Sequence, residues 1–576
     1  MRSWRLLHGI RLANRHWRAS HGGLPDWSWL PARTSSGKNR QNEAGKPERK
    51  KRVLIATGTA GHLPSMTMES FLAAALGERG ADAEFLLCDG ILSACMMCEI
   101  GWYSDAETFL RRGPADQCNS CHRPSAKMLD AAQLKHIGLS ELLQQGDFDD
   151  AQKTVERLSR SEIPQFEIDG VPLGEHACAG ALRFFARGDL PENDAAEAVL
   201  RRYVRTAILT YRATRRLLAT GAYDVVVLNH GIYVPQGVFA ETARRAGVRV
   251  VTWHPAYRRG CFIFNHNETY HHGLMTEPVT AWQDMRWDEN RRNNIAQYLK
   301  SRWIGRNDWV RFHNDPVLDT SSIERELGID FSRPTIGLLT NVVWDAQLHY
   351  PANAFDTMLD WLNATIGYFA ERPDLQLLIR VHPAEYSGTL PSRQLVTEEI
   401  GKAFPELPRN VFIIPPDSRL STYVAMSQCN AVIIYGTKTG VELTAEGIPV
   451  IVAGEAWIRG KGVTLDAESR DDYFRLLEAL PLPDRLDGEQ QERALRYAYH
   501  FFFRRMIPLT AFVETNGWPP FAVSIESEAE LAPGACAGLD VVCAGILKGT
   551  PFIYPAEENE TFNMPQSMAG GLSAVA

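Results

Sequence analysis

The sequence predicts an α/β protein built from two doubly wound domains, and three observations carry that prediction. Short apolar, β-branched runs alternate with amphipathic stretches from Arg52 onward, the alternation restarts after Pro334, and a chain of 576 residues exceeds what one ordinary core encloses. The composition, 45% hydrophobic and 23% charged, is that of a soluble globular protein.

The first domain opens with VLIAT, the loop Gly58-Thr-Ala-Gly61-His62 and a helical pattern through MTMESFLAAALGERGA, followed by the strand AEFLLCDG. The loop lacks the GxGxxG spacing, so it does not predict NAD; Gly61 and His62 are placed at a strand's carboxyl end as substrate-binding candidates. From Ser125 to about Thr220 the pattern is helical, and its longest stretch, AAEAVLRRYVRTAILTYRATRRLLATG, is expected to turn its basic residues to solvent. Two further strands, YDVVVLNHG and VRVVTWHP, end in His230 and His254. The ligand crevice of a doubly wound sheet lies outside such ends, so both histidines are candidates. The joint between domains is expected between the polar, mostly helical segment Trp282 to Pro316 and Pro334.

The second domain reads as TIGLLTNV, a helix around FDTMLDWLNATIGYFAERP, then LQLLIRVHP, NVFIIPP, the helix STYVAMSQC, AVIIYG, a helix after Thr439, and PVIVAG. The expected division is a basic leader over 1–50, a first domain over 51–325, a second over 326–500, and a crossing helix with tail over 501–576. The first domain carries a cysteine insertion near 92–125 and a helical one after it.

Charge is uneven. The formal net charge is -8, but Met1 to Arg52 holds 13 Lys and Arg against 3 acidic residues, leaving about -18 for the remainder. An acidic body is a poor nucleic-acid partner. The leader places Trp4, Leu6, Leu7, Ile10, Leu12 and Trp17 among arginines, which suits either a disordered tail or a short membrane-surface helix. With no secretory leader and no spanning run, the expected location is cytoplasmic, at most peripheral to the inner membrane.

Chemistry concentrates at three strand ends of the second domain. Arg380 and His382-Pro383 close one; Thr437-Lys438-Thr439-Gly440 and Glu442 join another to its helix; Gly447-Ile-Pro449 leads into a third. A Gly/Thr turn before a helix presents backbone N–H groups to phosphate, with Lys438 adding charge. Glu442, one turn on, is placed to accept from both hydroxyls of a ribose, and His382 to donate to a phosphate and stabilise a departing nucleotide. Separately, Cys95-x-x-Cys98 and Cys118-x-x-Cys121 have the spacing of a closed four-thiolate zinc site, whose role would be structural; an iron-sulfur cluster or redox pair shares the pattern.

The runs IRVHPAE and AVIIYGTKTGVELTAEGIPVIVAG, with GLLTNVVWDAQ and LNHGIYVPQGV, resemble the capsule polysaccharide biosynthesis family, which includes Kdo transferases. The resemblance spans most of 52 to 510. It implies a GT-B fold of two Rossmann-like domains facing across a cleft, a nucleotide-sugar donor, transfer without a catalytic metal, and a glycan or lipid-linked acceptor. It aligns His382 with the family's His-Pro histidine and Thr437 to Glu442 with its nucleotide pocket; threonines stand here where relatives often carry serines. An inverting transferase also needs a base for the acceptor hydroxyl, for which Glu268, His230 and the Glu175-His176 pair are candidates. Glu268 with His266, His271 and His272 fits an acceptor loop better than a metal site. A nucleotide-sugar 2-epimerase is the enzymatic alternative, and a non-catalytic zinc-stabilised scaffold the alternative of another class.

Overall fold

The computed structural model describes residues 13, 23–30, 49–303, 308–310, 316–516 and 519–558. Most of the leader, with its candidate membrane-surface helix, lies outside the described residues, but Trp27 is buried and donates to Ser70 Oγ (2.9 Å), so this part of the expected tail packs on the first domain.

Two sheets organise the chain. The first joins β1 (Arg52–Gly58), β2 (Asp82–Leu87), β3 (Lys135–Gly138), β4 (Val225–Asn229), β5 (Arg249–Pro255) and β6 (Cys261–His266). The second is formed by β7 (Thr335–Leu339), β8 (Gln376–Arg380), β9 (Val411–Ile414), β10 (Ala431–Ile434), β11 (Val450–Val452) and β12 (Leu465–Asp466). The first has the order β13-β6-β5-β4-β1-β2-β3, where β13 is Ile507–Pro508, and the second β12-β11-β10-β7-β8-β9. The second sheet is parallel throughout; in the first, β1 to β5 are parallel, β6 pairs antiparallel with β5, and β13 antiparallel with β6. In both, strand order reverses beside the opening strand, so crevices form between the carboxyl ends of β1 and β4 and of β7 and β10.

The central strands form because both of their faces are covered. β4, β7 and β8 are buried at every residue, which is why they read as continuous apolar runs rather than alternating ones. Ile336, Leu338, Leu377 and Ile379 enter one core, and Leu339, Leu378, Val432 and Ile434 the other. The second of these cores continues through Ala256, Ile263, Tyr298 and Phe501 to Phe503, so one apolar body links the two sheets. After the helix Gly488–Tyr499 a π-helical turn, His500–Arg505, returns the chain to the first sheet as β13, and the helix Ala537–Lys548 packs there through Arg79 and Asp540 (2.5 Å).

Three readings need correction. β3 and β6 were not expected as strands: β3 is a four-residue polar edge, and CFIFNH lacks alternation because its residues are buried on both sides. The arginines of the helix Asp194–Leu218 do not simply face solvent. Arg202 donates to the Phe109 carbonyl (2.8 Å), Arg201 to that of Val155 (2.6 Å) and Arg216 to Asp147 (3.0 Å), so they staple the insertions to the helix. Finally, Cys118 and Cys121 sit on a helix, Ala115–Ala131, not on a tight turn. Cys95 and Cys98 do form a turn, their sulfurs 4.0 Å apart, while Cys121 Sγ accepts from Gly61 N–H at 2.9 Å. Among the described residues no three His, Cys, Asp or Glu side chains are gathered to hold a metal, so the four-thiolate site is not shown.

Candidate active site

A cavity of about 310 Å³ opens at the reversal point of the second sheet. Its floor is the loop after β7 (Thr340, Asn341, Asp345), the end of β8 (Arg380, His382) and the turn after β10 (Thr437, Lys438, Thr439). Also lining it are Tyr257, just after β5, and Tyr270 and His271, after β6. Thus His382 and the Thr437 to Thr439 turn converge as the sequence predicts.

Local contacts explain how each group is held. His382 N–H donates to Thr340 Oγ1 (3.0 Å), and its Nδ1 accepts from Ala384 N–H (3.1 Å), which places the proton of the neutral ring on Nε2. Arg380 is fully buried; it donates to Thr422 Oγ1 (3.2 Å) and the Ser418 carbonyl (3.2 Å), and burial pulls it down to about 10 against the pull of Asp417. It therefore shapes the floor while spending its donors on the protein. Gly440 admits the next helix against β10, since a Cβ there would lie 2.6 Å from Ile434 Cδ1.

Glu442 departs from expectation. It is buried beneath the cavity rather than lining it, and its oxygens accept from Arg302 Nε (3.0 Å), Tyr423 OH (2.5 Å) and Lys438 Nζ (2.5 Å). Burial alone would raise its pKa; Arg302 and Lys438 outweigh that and hold it at about 2. Arg302 also pairs with Asp308, and Lys438 lies 4.6 Å over the Tyr257 ring. Glu442 consequently anchors two cations of the wall, which leaves no oxygen directed at a ribose.

The first-domain candidates divide. His230 and His254 come together at the ends of β4 and β5, ring centroids 6.4 Å apart, and His254 stacks on the cavity residue Tyr270 (4.2 Å, 9°). Burial lowers the pKa of both. Gly61 and His62 do not line the cavity; His62 bonds Ser65 Oγ (2.6 Å) at the start of its helix and acts on His230 only electrostatically. Glu268 lies outside the cavity as well, 3.8 Å from Arg244 and partly in solvent. His176 is fully buried against the Ile232 carbonyl (2.6 Å), and Glu175 accepts from His349 N–H (2.5 Å).

Sequence reasoning missed Asp345. It is exposed, lines the cavity, and accepts from Tyr233 OH (2.8 Å), the same hydroxyl that accepts from Ala346 N–H (3.1 Å). The only available signal was an acidic residue in the loop following a buried strand.

The segment that supplies the floor also has recognised relatives. Residues 320–480 match the family of capsule polysaccharide biosynthesis proteins. That match covers β7 to β12 and the whole floor, and leaves the first domain unmatched. No curated protein matches the chain. Solved structures similar to it include two entities of KpsC from Thermosulfurimonas dismutans: the beta Kdo 2,4 transferase (15% identical, covering 50% of this chain and 83% of that one, TM-score 0.34) and the beta Kdo 2,7 transferase (13%, 56% and 88%, TM-score 0.30). A third is the UDP-GlcNAc 2-epimerase of Neisseria meningitidis bound to UDP-GlcNAc (11%, 78% and 98%, TM-score 0.26). Among the described residues no helix is long and apolar enough to cross a membrane.

Proposed function

We propose that this protein is a GT-B-type glycosyltransferase of capsule or surface polysaccharide synthesis, moving a sugar from a nucleotide-activated donor to a glycan or lipid-linked acceptor. The observation that carries the reading is the cavity at the β7/β10 reversal point, in a segment that matches the capsule family and brings His382, Thr437, Lys438 and Thr439 to one wall. The nucleotide's phosphate lies against the threonine turn, and His382 Nε2–H donates to the oxygen that leaves with it, offsetting the charge that develops there. The first domain supplies the acceptor side.

A thermal-shift panel of CMP, UDP, GDP and ADP tests this, because a ligand at 100 times its Kd stabilises the folded chain by about 2.7 kcal/mol. Stabilisation by one nucleotide is expected. No response to any of them removes the reading, and turnover of UDP-GlcNAc with no acceptor present replaces it with epimerisation.

A structural zinc ion at Cys95, Cys98, Cys118 and Cys121 belongs to the same proposal. Its support is the spacing of the two pairs and the sulfur contact of Cys95 with Cys98; it requires the helix-borne thiols, of which Cys121 accepts from Gly61 N–H, to turn toward Cys95 and Cys98. One zinc per purified chain, lost on mutating Cys118 and Cys121 to serine, is the expected result of elemental analysis; a zinc-free wild type whose thiols react freely contradicts it.

A further inference from the structure

His230 and His254 do not line the cavity, His254 being stacked on its lining residue Tyr270, yet their hydrogen bonds assign their protons. His254 Nδ1 lies 2.8 Å from the Pro255 carbonyl oxygen. A carbonyl only accepts, so Nδ1 carries the hydrogen and Nε2 presents a bare lone pair. His230 is the reverse: its Nδ1 accepts from Ile232 N–H (3.2 Å), leaving the hydrogen of the neutral ring on Nε2. Neither Nε2 takes a hydrogen bond among the described residues, and neither is among the buried polar atoms without a partner, so both reach open space.

The two rings thus offer one acceptor and one donor, their centroids 6.4 Å apart. One oxygen held about 2.8 Å from each of two nitrogens near the tetrahedral angle sets them about 4.6 Å apart, which rings 6.4 Å apart between centroids meet when their Nε2 atoms face one another. The backbone adds a separate indication. His230 has φ of 28°, in the left-handed region, a conformation that costs a non-glycine residue about 1–3 kcal/mol and persists at sites where the side chain must point in one direction.

The geometry points to His254 as the base that deprotonates an acceptor hydroxyl, with His230 donating to the same oxygen. The inference rests on the glycosyl-transfer reading. As the acceptor oxygen bonds to the donor's anomeric carbon, its proton passes to His254 Nε2, and the anomeric carbon–oxygen bond breaks with its electrons going to the nucleotide phosphate. Asp345, close enough to favour the charged form of His254, stabilises the imidazolium that results. The groups acting on the pair are His62, His271, Arg183 and Asp345, and burial keeps both rings neutral at pH 7. The acceptor is a sugar hydroxyl: Tyr257, Tyr270 and Trp457 give the adjoining wall the aromatic faces on which sugar rings pack.

Two measurements decide it. In protein labelled with ¹⁵N-imidazole histidine, with His254→Gln and His230→Gln used for assignment, His254 should show a bare Nε2 at pH 7 and His230 a protonated one; the opposite tautomers, or imidazolium at either position, overturn the pair. In a transfer assay with the nucleotide-sugar whose nucleotide stabilises the wild type, His254→Ala should lower kcat about 10²-fold or more at unchanged nucleotide affinity, and added imidazole should restore part of the rate. A loss below threefold, or a larger loss without imidazole rescue, overturns the assignment. A wild type that binds no nucleotide fails earlier and removes the transferase reading itself, which separates the two failures.

Discussion

Replacing His382 with alanine should lower sugar-transfer turnover by about 10²–10³-fold, the usual cost of removing one donor aimed at developing charge. The ring is fixed from both sides, by Thr340 Oγ1 on its backbone N–H and by Ala384 N–H on Nδ1, so its only transferable hydrogen is on Nε2. Because the interaction strengthens as the nucleotide departs, the loss should fall on kcat, with nucleotide affinity within a few-fold of the wild type. Steady-state kinetics and a calorimetric titration of the nucleotide check both halves. Loss of affinity with kcat retained would make His382 a binding group only.

The second large effect is expected at Glu442. Glu442→Ala should destabilise the second domain by about 3 kcal/mol, because it strips a buried counter-charge from Arg302 and Lys438. Arg302 keeps its ion pair with Asp308, whereas Lys438 keeps no other hydrogen-bonded acceptor among the described residues and rests on the Tyr257 face, so the cavity wall around Lys438 should loosen first. The pH dependence has a definite sign. The Glu442 carboxyl is held at about 2 in the folded chain against an ordinary value of 4.5, so its contribution is complete above about pH 4.5 and is lost as the pH falls toward 2. Urea unfolding at pH 7 should separate wild type and variant, and the gap should narrow through that acid window; a gap independent of pH would rule out the ion network as its source.

Much of this architecture was legible from residue order. Strands buried on both faces leave continuous apolar runs, and loops at their carboxyl ends must hold whatever binds there, so β7, β8 and β10 and His382 could be read directly. Glu442 was misplaced because its partner Arg302 comes from the polar segment before the expected joint, and no local pattern reveals a pairing across 140 residues. Asp345 was missed for the same reason, its partner Tyr233 belonging to the other domain. The cysteines show a different limit: CxxC spacing is shared by a turn, as at Cys95, and by one turn of helix, as at Cys118, and spacing alone does not say whether the two pairs face each other.

Hydrogen exchange with and without the stabilising nucleotide tests the central claim most directly, since it locates the ligand. Binding at the β7/β10 reversal point predicts protection at 339–347 and 435–440, with little change at the ends of β1 and β4 until an acceptor is added. Protection confined to the first domain, with both of those loops unchanged, would contradict it.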